Sequence, residues 1–222
     1  MTDRSVLVTG ATGGLGAAVV ASFVAEGWRV VAPVRGTLDA PGVDVLPGTE
    51  LDDPAVIAAA TADPDRPLRA LVNLVGGFAS GGRIHETPWA DFDAQFQVNL
   101  RTTYLVTSAA LPALLESARD GGGAAIVCTS SRAAQAPFPG AAGYIASKAA
   151  VLAFAQTVAV EYRDAGVRCN TIVPSVIDTP KNRAAQPNAD ATKWTRPEDI
   201  ARVIRFFAGT GSAPTTGAAI PV

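Results

Sequence analysis

The sequence predicts one doubly wound α/β domain, a single parallel sheet of about seven strands with helices on both faces. Three observations lead there. Apolar, β-branched runs alternate along the chain with segments of helical spacing. The runs at 68–75 and 124–129 are apolar almost throughout, as strands must be when helices cover both sides of a sheet. The first run also passes through a cluster of glycines straight into a helical segment.

Ser5–Thr9 reads as the first strand and 14–26, rich in alanine, as the first helix. A second strand covers 28–34, and 44–46 belongs to a short third one. Pro54–Thr61 follows as a helix, and the run 68–75 as the fourth strand. Residues 88–116 read as one long helix with Pro112 near its end. Ala124–Thr129 is the fifth strand, 142–164 a long alanine-rich helix, and Val167–Val173 the sixth strand. Pro197–Ala208 is a helix and 218–222 a last short strand. Loops at 78–87, 132–140 and 179–196 each follow a strand. Open α/β sheets bind ligands beyond the carboxyl ends of their strands, so substrate contacts are expected on these loops. No internal repeat or low-complexity tail interrupts the pattern, and the whole chain, 1–222, reads as one domain.

With 48% hydrophobic and 17% charged residues, the composition is that of a folded chain with a large core. The net charge of -2 offers no basic stripe for nucleic acid. Cys128 and Cys169 lie in apolar strand-like runs at a spacing that matches no zinc motif, so buried free thiols are expected. His85 is the single histidine, which leaves no histidine-based triad or multi-histidine metal centre to build. The N-terminal residues lack a signal-peptide apolar region, and no apolar stretch approaches the roughly 20 residues that span a bilayer. A cytoplasmic protein with no membrane partner is therefore expected.

The glycine cluster runs Thr9-Gly10-Ala11-Thr12-Gly13-Gly14-Leu15-Gly16. Glycines let the chain turn tightly and let backbone N–H groups approach a pyrophosphate, and the helix N-terminus adds partial positive charge. Gly10, Thr12, Gly13, Gly14, Leu15 and Gly16 are thus candidate cofactor contacts; a tight turn without a ligand is the competing reading. A dinucleotide fold serving NAD normally ends its second strand on a carboxylate for the ribose diol. Here the strand ends Ala32-Pro33-Val34-Arg35. A guanidinium suits a 2′-phosphate, so Arg35 favours NADP(H), with NAD(H) as the alternative cofactor. An arginine that merely points into solvent is the other reading.

Gly143-Tyr144-Ile145-Ala146-Ser147-Lys148 opens the long alanine-rich helix. Residues four apart share a helix face, so Tyr144 and Lys148 can point into one cleft. A free tyrosine, with a pKa of about 10, is a poor acid–base group at neutral pH, and a nearby ammonium lowers that value. So tuned, Tyr144 can give a proton to a carbonyl oxygen or take it back. An ordinary surface pair is the alternative. The fifth strand ends Thr129-Ser130-Ser131, and a hydroxyl there can hold the substrate oxygen.

Together these motifs resemble those of the classical short-chain dehydrogenase/reductase family, with a Rossmann-type fold, over essentially the whole chain. The turn matches the family's TGxxxGxG through Gly10, Gly14 and Gly16. Asn73-Leu74-Val75-Gly76 stands where the family has NNAG, keeping Asn73 and Gly76. Val98-Asn99-Leu100 looks like the family's helix-kinking asparagine, which implies that Asn99 holds a water relaying protons from Lys148. Ser131, thirteen residues before Tyr144, completes a match to the catalytic serine and YxxxK. Pro174 opens a segment like the family's PG stretch, with Ser175 in place of glycine; Ile177 and Thr179 are then implied at the nicotinamide carboxamide and a nearby phosphate. Glu50-Leu51 looks like the family's DV pair at the adenine. The chain ends sooner after its last strand than classical members do, as a compact or trimmed member would.

The resemblance implies an NADP(H)-dependent oxidoreductase that moves a hydride between nicotinamide and a carbonyl or alcohol substrate, with reduction the preferred direction. Tyr144 is the implied acid–base group, Lys148 lowers its pKa and holds the ribose, Ser131 positions the oxygen and Asn99 supports the relay. A nucleotide-sensing or scaffold protein without turnover is the alternative, and an epimerase or dehydratase a third reading. The family's habit of pairing its two long helices between subunits implies a homodimer or homotetramer. Phe78, Phe138 and Trp194 suggest an apolar or aromatic part of the substrate.

Overall fold

The computed structural model describes residues 4–48, 51 and 53–222. Seven strands, β1 (Ser5–Thr9), β2 (Arg29–Val34), β3 (Val43–Pro47), β4 (Leu68–Asn73), β5 (Ala124–Thr129), β6 (Val167–Val173) and β7 (Ala219–Pro221), form one sheet. Its order is β3-β2-β1-β4-β5-β6-β7, and every pairing is parallel. The chain builds outward from β1 to β3, then returns to place β4 on the other side of β1. The strand order reverses there, and that switch opens a crevice at the carboxyl ends of β1 and β4.

Successive side chains of a strand point to opposite faces, so an uninterrupted apolar strand feeds two cores. Val6 and Val8 of β1 join Val30, Val72, Val127 and Ile172 in one layer, covered by α1 (Gly14–Ala25) and α7 (Pro197–Ala208). Leu7, between them, joins Val31, Leu71, Ile126, Cys128 and Cys169 in the other. That second layer is covered by α2 (Pro54–Thr61), α4 (Thr102–Ala118) and α5 (Ala142–Glu161). Both cysteines are buried and free, as expected.

The amino-terminal edge of the sheet is closed by arginines. Arg69 donates to the Ser117 carbonyl at the end of α4 and pairs with Asp120. Arg168 donates to the carbonyls of Phe207 at 3.2 Å and Gly209 at 2.8 Å, and to Ser212 Oγ at 2.6 Å. Cations here meet the carbonyl-rich, partly negative ends of helices. A cavity of about 680 Å³ lies among Arg4, Arg69, Arg163 and Arg168, at the end of the sheet away from the crevice.

Three expectations change. The helix expected over 88–116 is two helices, α3 (Trp89–Phe96) and α4, joined by one wide π turn at Gln97–Arg101. The loop expected over 179–196 contains α6 (Pro180–Ala185) and a 3-10 turn at Ala191–Lys193. Further, α5 is long and apolar enough to cross a membrane by length and composition, contrary to the reading of the sequence. Its Val151, Ala155, Val158 and Ala159 are buried in the sheet's second layer, which accounts for that apolarity.

Candidate active site

The glycine turn is forced by close approach. Gly10 has φ +72°, and a β-carbon there would lie 3.1 Å from the Leu74 carbonyl carbon and the Val75 nitrogen. One at Gly16 would lie 2.0 Å from the Gly10 oxygen. Thr9, at the end of β1, accepts the Leu74 N–H through Oγ1 at 3.1 Å and ties the turn to the start of the next loop. Leu15 is buried in the core, whereas Thr12, Gly13 and Gly14 are exposed at the start of α1. No side chain caps that helix, so its first N–H groups face outward.

Gly14 is also where the segment after β6 touches the turn. A β-carbon on Gly14 would stand 2.6 Å from Thr179 Cγ2. Thr179 is buried and caps α6, accepting the Asn182 N–H at 3.2 Å. Asn182 donates to the Ile177 carbonyl at 2.8 Å, and the buried Pro174 accepts the Arg132 N–H at 2.8 Å. Two stretches far apart in sequence are thereby packed together. An uncapped helix N-terminus that opens on Gly13 and Gly14, flanked by Thr179, fits a dinucleotide's pyrophosphate.

Arg35 stands exposed just past β2, with no ion-pair partner among the described residues. Leu51 is half-buried against the second core layer, and Glu50 lies outside the described residues. Asn73 is buried and donates to Thr107 Oγ1 at 3.0 Å and to Cys128 Sγ at 3.9 Å, so it braces β4 against β5 and α4.

Gly76, Asn99 and Lys148 converge. A β-carbon on Gly76 would lie 2.8 Å from Asn99 Oδ1 and 3.0 Å from Lys148 Nζ. Asn99 is fully buried in the π turn. It accepts the Gly77 N–H at 3.0 Å, and its Nδ2 donates to the Gly77 carbonyl at 3.1 Å and to Ser147 Oγ at 3.0 Å. The wide turn thus aims an amide at the loop after β4 and clamps it at both backbone groups. Lys148 is 5% exposed, and its ammonium donates to the Thr129 carbonyl at 3.0 Å. Burial pushes its pKa down to about 8, with the Cys128 sulfur pulling the other way.

Tyr144 lies one turn earlier on α5, next to Ser131 at the end of β5. Burial pushes its phenol above the ordinary tyrosine value, and the Ser131 hydroxyl partly offsets this. The expected lowering of its pKa is thus corrected. The amine is held on the Thr129 carbonyl, and desolvation of the phenol dominates. Ser131 also accepts the Ala133 N–H at 3.2 Å, capping a 3-10 turn at Arg132–Ala134. The resulting cluster can present a protonated phenol and a hydroxyl to one oxygen atom.

Reading the sequence missed several supports. Ser130 donates to the Lys148 carbonyl at 2.7 Å, and Ser147 to the Tyr144 carbonyl at 2.8 Å, fixing the first turns of α5. The hydroxyl-rich ends of β1 and β5 were the available signal. Phe78 packs edge-on to Tyr144, with ring centroids 5.0 Å apart at 87°. Trp194 is half-buried and makes no ring contact with that pair.

The profile of the short chain dehydrogenase family matches residues 4–190. The chain is 34% identical to the 2-(R)-hydroxypropyl-CoM dehydrogenase of Xanthobacter autotrophicus, over 98% of this chain and 96% of that protein. A short-chain dehydrogenase/reductase family oxidoreductase from Burkholderia thailandensis superimposes with a TM-score of 0.86 at 30% identity, covering 100% of this chain and 92% of the other. The 3-ketoacyl-(acyl-carrier-protein) reductase of Brucella melitensis, solved with NADH, gives a TM-score of 0.84 at 25% identity over 99% and 96% of the two chains. The matched profile, the whole-length relatives and the parallel sheet agree: this chain belongs to the short-chain dehydrogenase/reductase family and is an oxidoreductase of that family.

Proposed function

We propose that the protein reduces a small carbonyl compound with NADPH, using Tyr144 as the general acid. When bound, the nicotinamide supplies the hydride. The observation that carries the reading is the Ser131 hydroxyl against the Tyr144 phenol where β5 ends and α5 begins, with Lys148 buried one turn further along α5. A phenol whose pKa burial raises is protonated at neutral pH. It is therefore set to give a proton to the substrate oxygen, which favours the reductive direction. The Ser131 hydroxyl orients that oxygen. Lys148, with its pKa near 8, can be charged or neutral close to physiological pH and so can resupply the phenol's proton. Asn99 holds Gly77 and the wall beside Lys148, which makes it a positioning residue and the place for the relay water. Arg35, exposed past β2, supports a 2′-phosphate and thus NADP(H) over NAD(H).

The assembly we propose is a homodimer or homotetramer built on α4 and α5. A groove of about 390 Å³, where the end of α3, the π turn and the start of α4 meet α5, is lined by Phe96, Gln97, Leu100, Arg101, Tyr104, Ala150 and Phe154. Val160, further along α5, is 71% exposed. Uncovered apolar groups at this density suit a second copy. Two buried free thiols support a reducing, cytoplasmic setting.

The test is Tyr144→Phe. NADPH oxidation with a reducible ketone should fall by about 10²-fold or more while the NADPH dissociation constant stays within about twofold. A variant that turns over at the wild-type rate removes Tyr144 from the chemistry. Wild-type protein that binds NADPH yet oxidises it with no ketone or quinone in a broad panel would favour a nucleotide sensor. Arg35→Ala should weaken NADPH more than NADH; equal effects would overturn the cofactor preference.

A further inference from the structure

Resting on the reductase reading above, we infer that the substrate carries an aromatic ring at or next to its carbonyl carbon, received by Phe78 and Phe138. Phe78, beside the proposed acid, is 58% exposed, and Phe138, beside Phe78, is 44% exposed, although both are large apolar side chains. Their ring centroids are 6.4 Å apart and their planes inclined at 47°. Phe78 in turn stands edge-on to Tyr144 at 5.0 Å. The three rings thus form an angled series that starts at the phenol and leads out to solvent.

The series is held rigidly, so its exposure does not come from loose loops. Phe78 follows Gly77, whose N–H and C=O are both bonded to Asn99. Phe138 lies between Pro137 and Pro139, each with a fixed φ. The two loops are joined by a hydrogen bond from the Gly81 N–H to the Gly140 carbonyl at 2.7 Å. Gly140 sits at φ +84°, and a β-carbon there would lie 2.8 Å from the Gly81 oxygen. An apolar surface kept in place and uncovered next to the reacting atoms is a recognition surface. Inclined rings select for another ring, because edge-to-face contacts add attraction beyond the area they bury. An aliphatic group of equal size gains the area and not that added attraction.

The experiment compares acetophenone with cyclohexyl methyl ketone; conjugation makes the aryl carbonyl the less electrophilic of the two, so a preference for it must come from the site. With NADPH, the wild-type kcat/KM should favour acetophenone by about fivefold. Phe78→Leu and Phe138→Leu keep an apolar side chain and remove the ring. Each should lower that ratio, and the double variant should bring it near one. A wild-type ratio near one, or an unchanged ratio in the double variant, overturns the inference. If neither ketone is reduced, the reductase reading is decided separately by the broad ketone and quinone panel. The aromatic preference is then judged by calorimetric binding of 1-phenylethanol and 1-cyclohexylethanol to wild type and double variant. Tighter binding of the aryl alcohol, lost in the double variant, sustains it; equal binding sinks it.

Discussion

Lys148 is seated against Gly76: the β-carbon that glycine lacks would stand 3.0 Å from Lys148 Nζ. The same missing atom would lie 2.8 Å from Asn99 Oδ1. One small residue after β4 therefore sets how deeply the amine lies and how close the π turn comes. Gly76→Ala should push the amine off the Thr129 carbonyl. We expect kcat/KM to fall about tenfold or more, with unfolding free energy changed by about 1–2 kcal/mol. Steady-state kinetics and urea unfolding check this together; unchanged kinetics would show the site to be more pliable than the contact distances imply.

Lys148 is a buried cation whose hydrogen-bond acceptor among the described residues is a neutral carbonyl. Its pKa is about 8 in the folded protein against an ordinary 10.5. Between those values the unfolded chain binds more protons, so this residue's contribution makes stability rise with pH across that window. Below about pH 8 the amine is charged in both states and the burial penalty is felt in full. Lys148→Met should therefore raise stability at pH 7, by on the order of 2 kcal/mol, and abolish turnover. The variant should also lose part of the rise in stability between pH 8 and 10.5. Thermal unfolding over that range reads both effects.

The same value sets an activity profile. If the charged amine resupplies the phenol, kcat/KM for reduction declines as pH rises through about 8. A profile flat to pH 10 would separate Lys148's charge from the proton transfer.

Asn99 carries three side-chain hydrogen bonds in a fully buried position. Asn99→Leu strands the Gly77 N–H and carbonyl, while Ser147 loses one donor and keeps its bond to the Tyr144 carbonyl. A loss of about 2–4 kcal/mol in urea unfolding is expected. Asn99→Asp keeps the acceptor for the Gly77 N–H and loses both donors, so it too should destabilise the fold.

Gly14 and Thr179 form a matched pair across the crevice. Gly14→Ala should weaken NADPH binding about tenfold, because the new methyl meets Thr179 Cγ2 and narrows the turn. Thr179→Ser removes that methyl and keeps the cap on α6, but its own Cβ would still lie 2.9 Å from the added methyl, so the double variant should regain only part of the affinity. Fluorescence titration of NADPH against the four proteins measures the coupling directly.

The sheet was legible because its strands are apolar on both faces; Val6, Leu7 and Val8 announce two cores at once. The helix that carries Tyr144 and Lys148 one turn apart was legible too, from its alanine-rich spacing. The phenol's pKa was not: it depends on burial and on where the amine donates, and spacing reports neither. Periodicity read 88–116 as one helix because one extra residue in a helical turn leaves the apolar spacing almost intact; the kink at Asn99 was legible only through the family resemblance, and the π turn lies there. α6 did leave a mark, a threonine cap followed by Pro180 at the first helical position, which the polar composition of 179–196 hid. Close approaches such as Gly14 to Thr179 join distant stretches and cannot be read from either alone.

The clip between Gly81 and Gly140 bears on attempts to redirect this enzyme. Lengthening or grafting either loop by itself would pull at the other's backbone. Libraries that recombine both segments as a unit, with the two glycines retained, are the sound route to variants of altered scope.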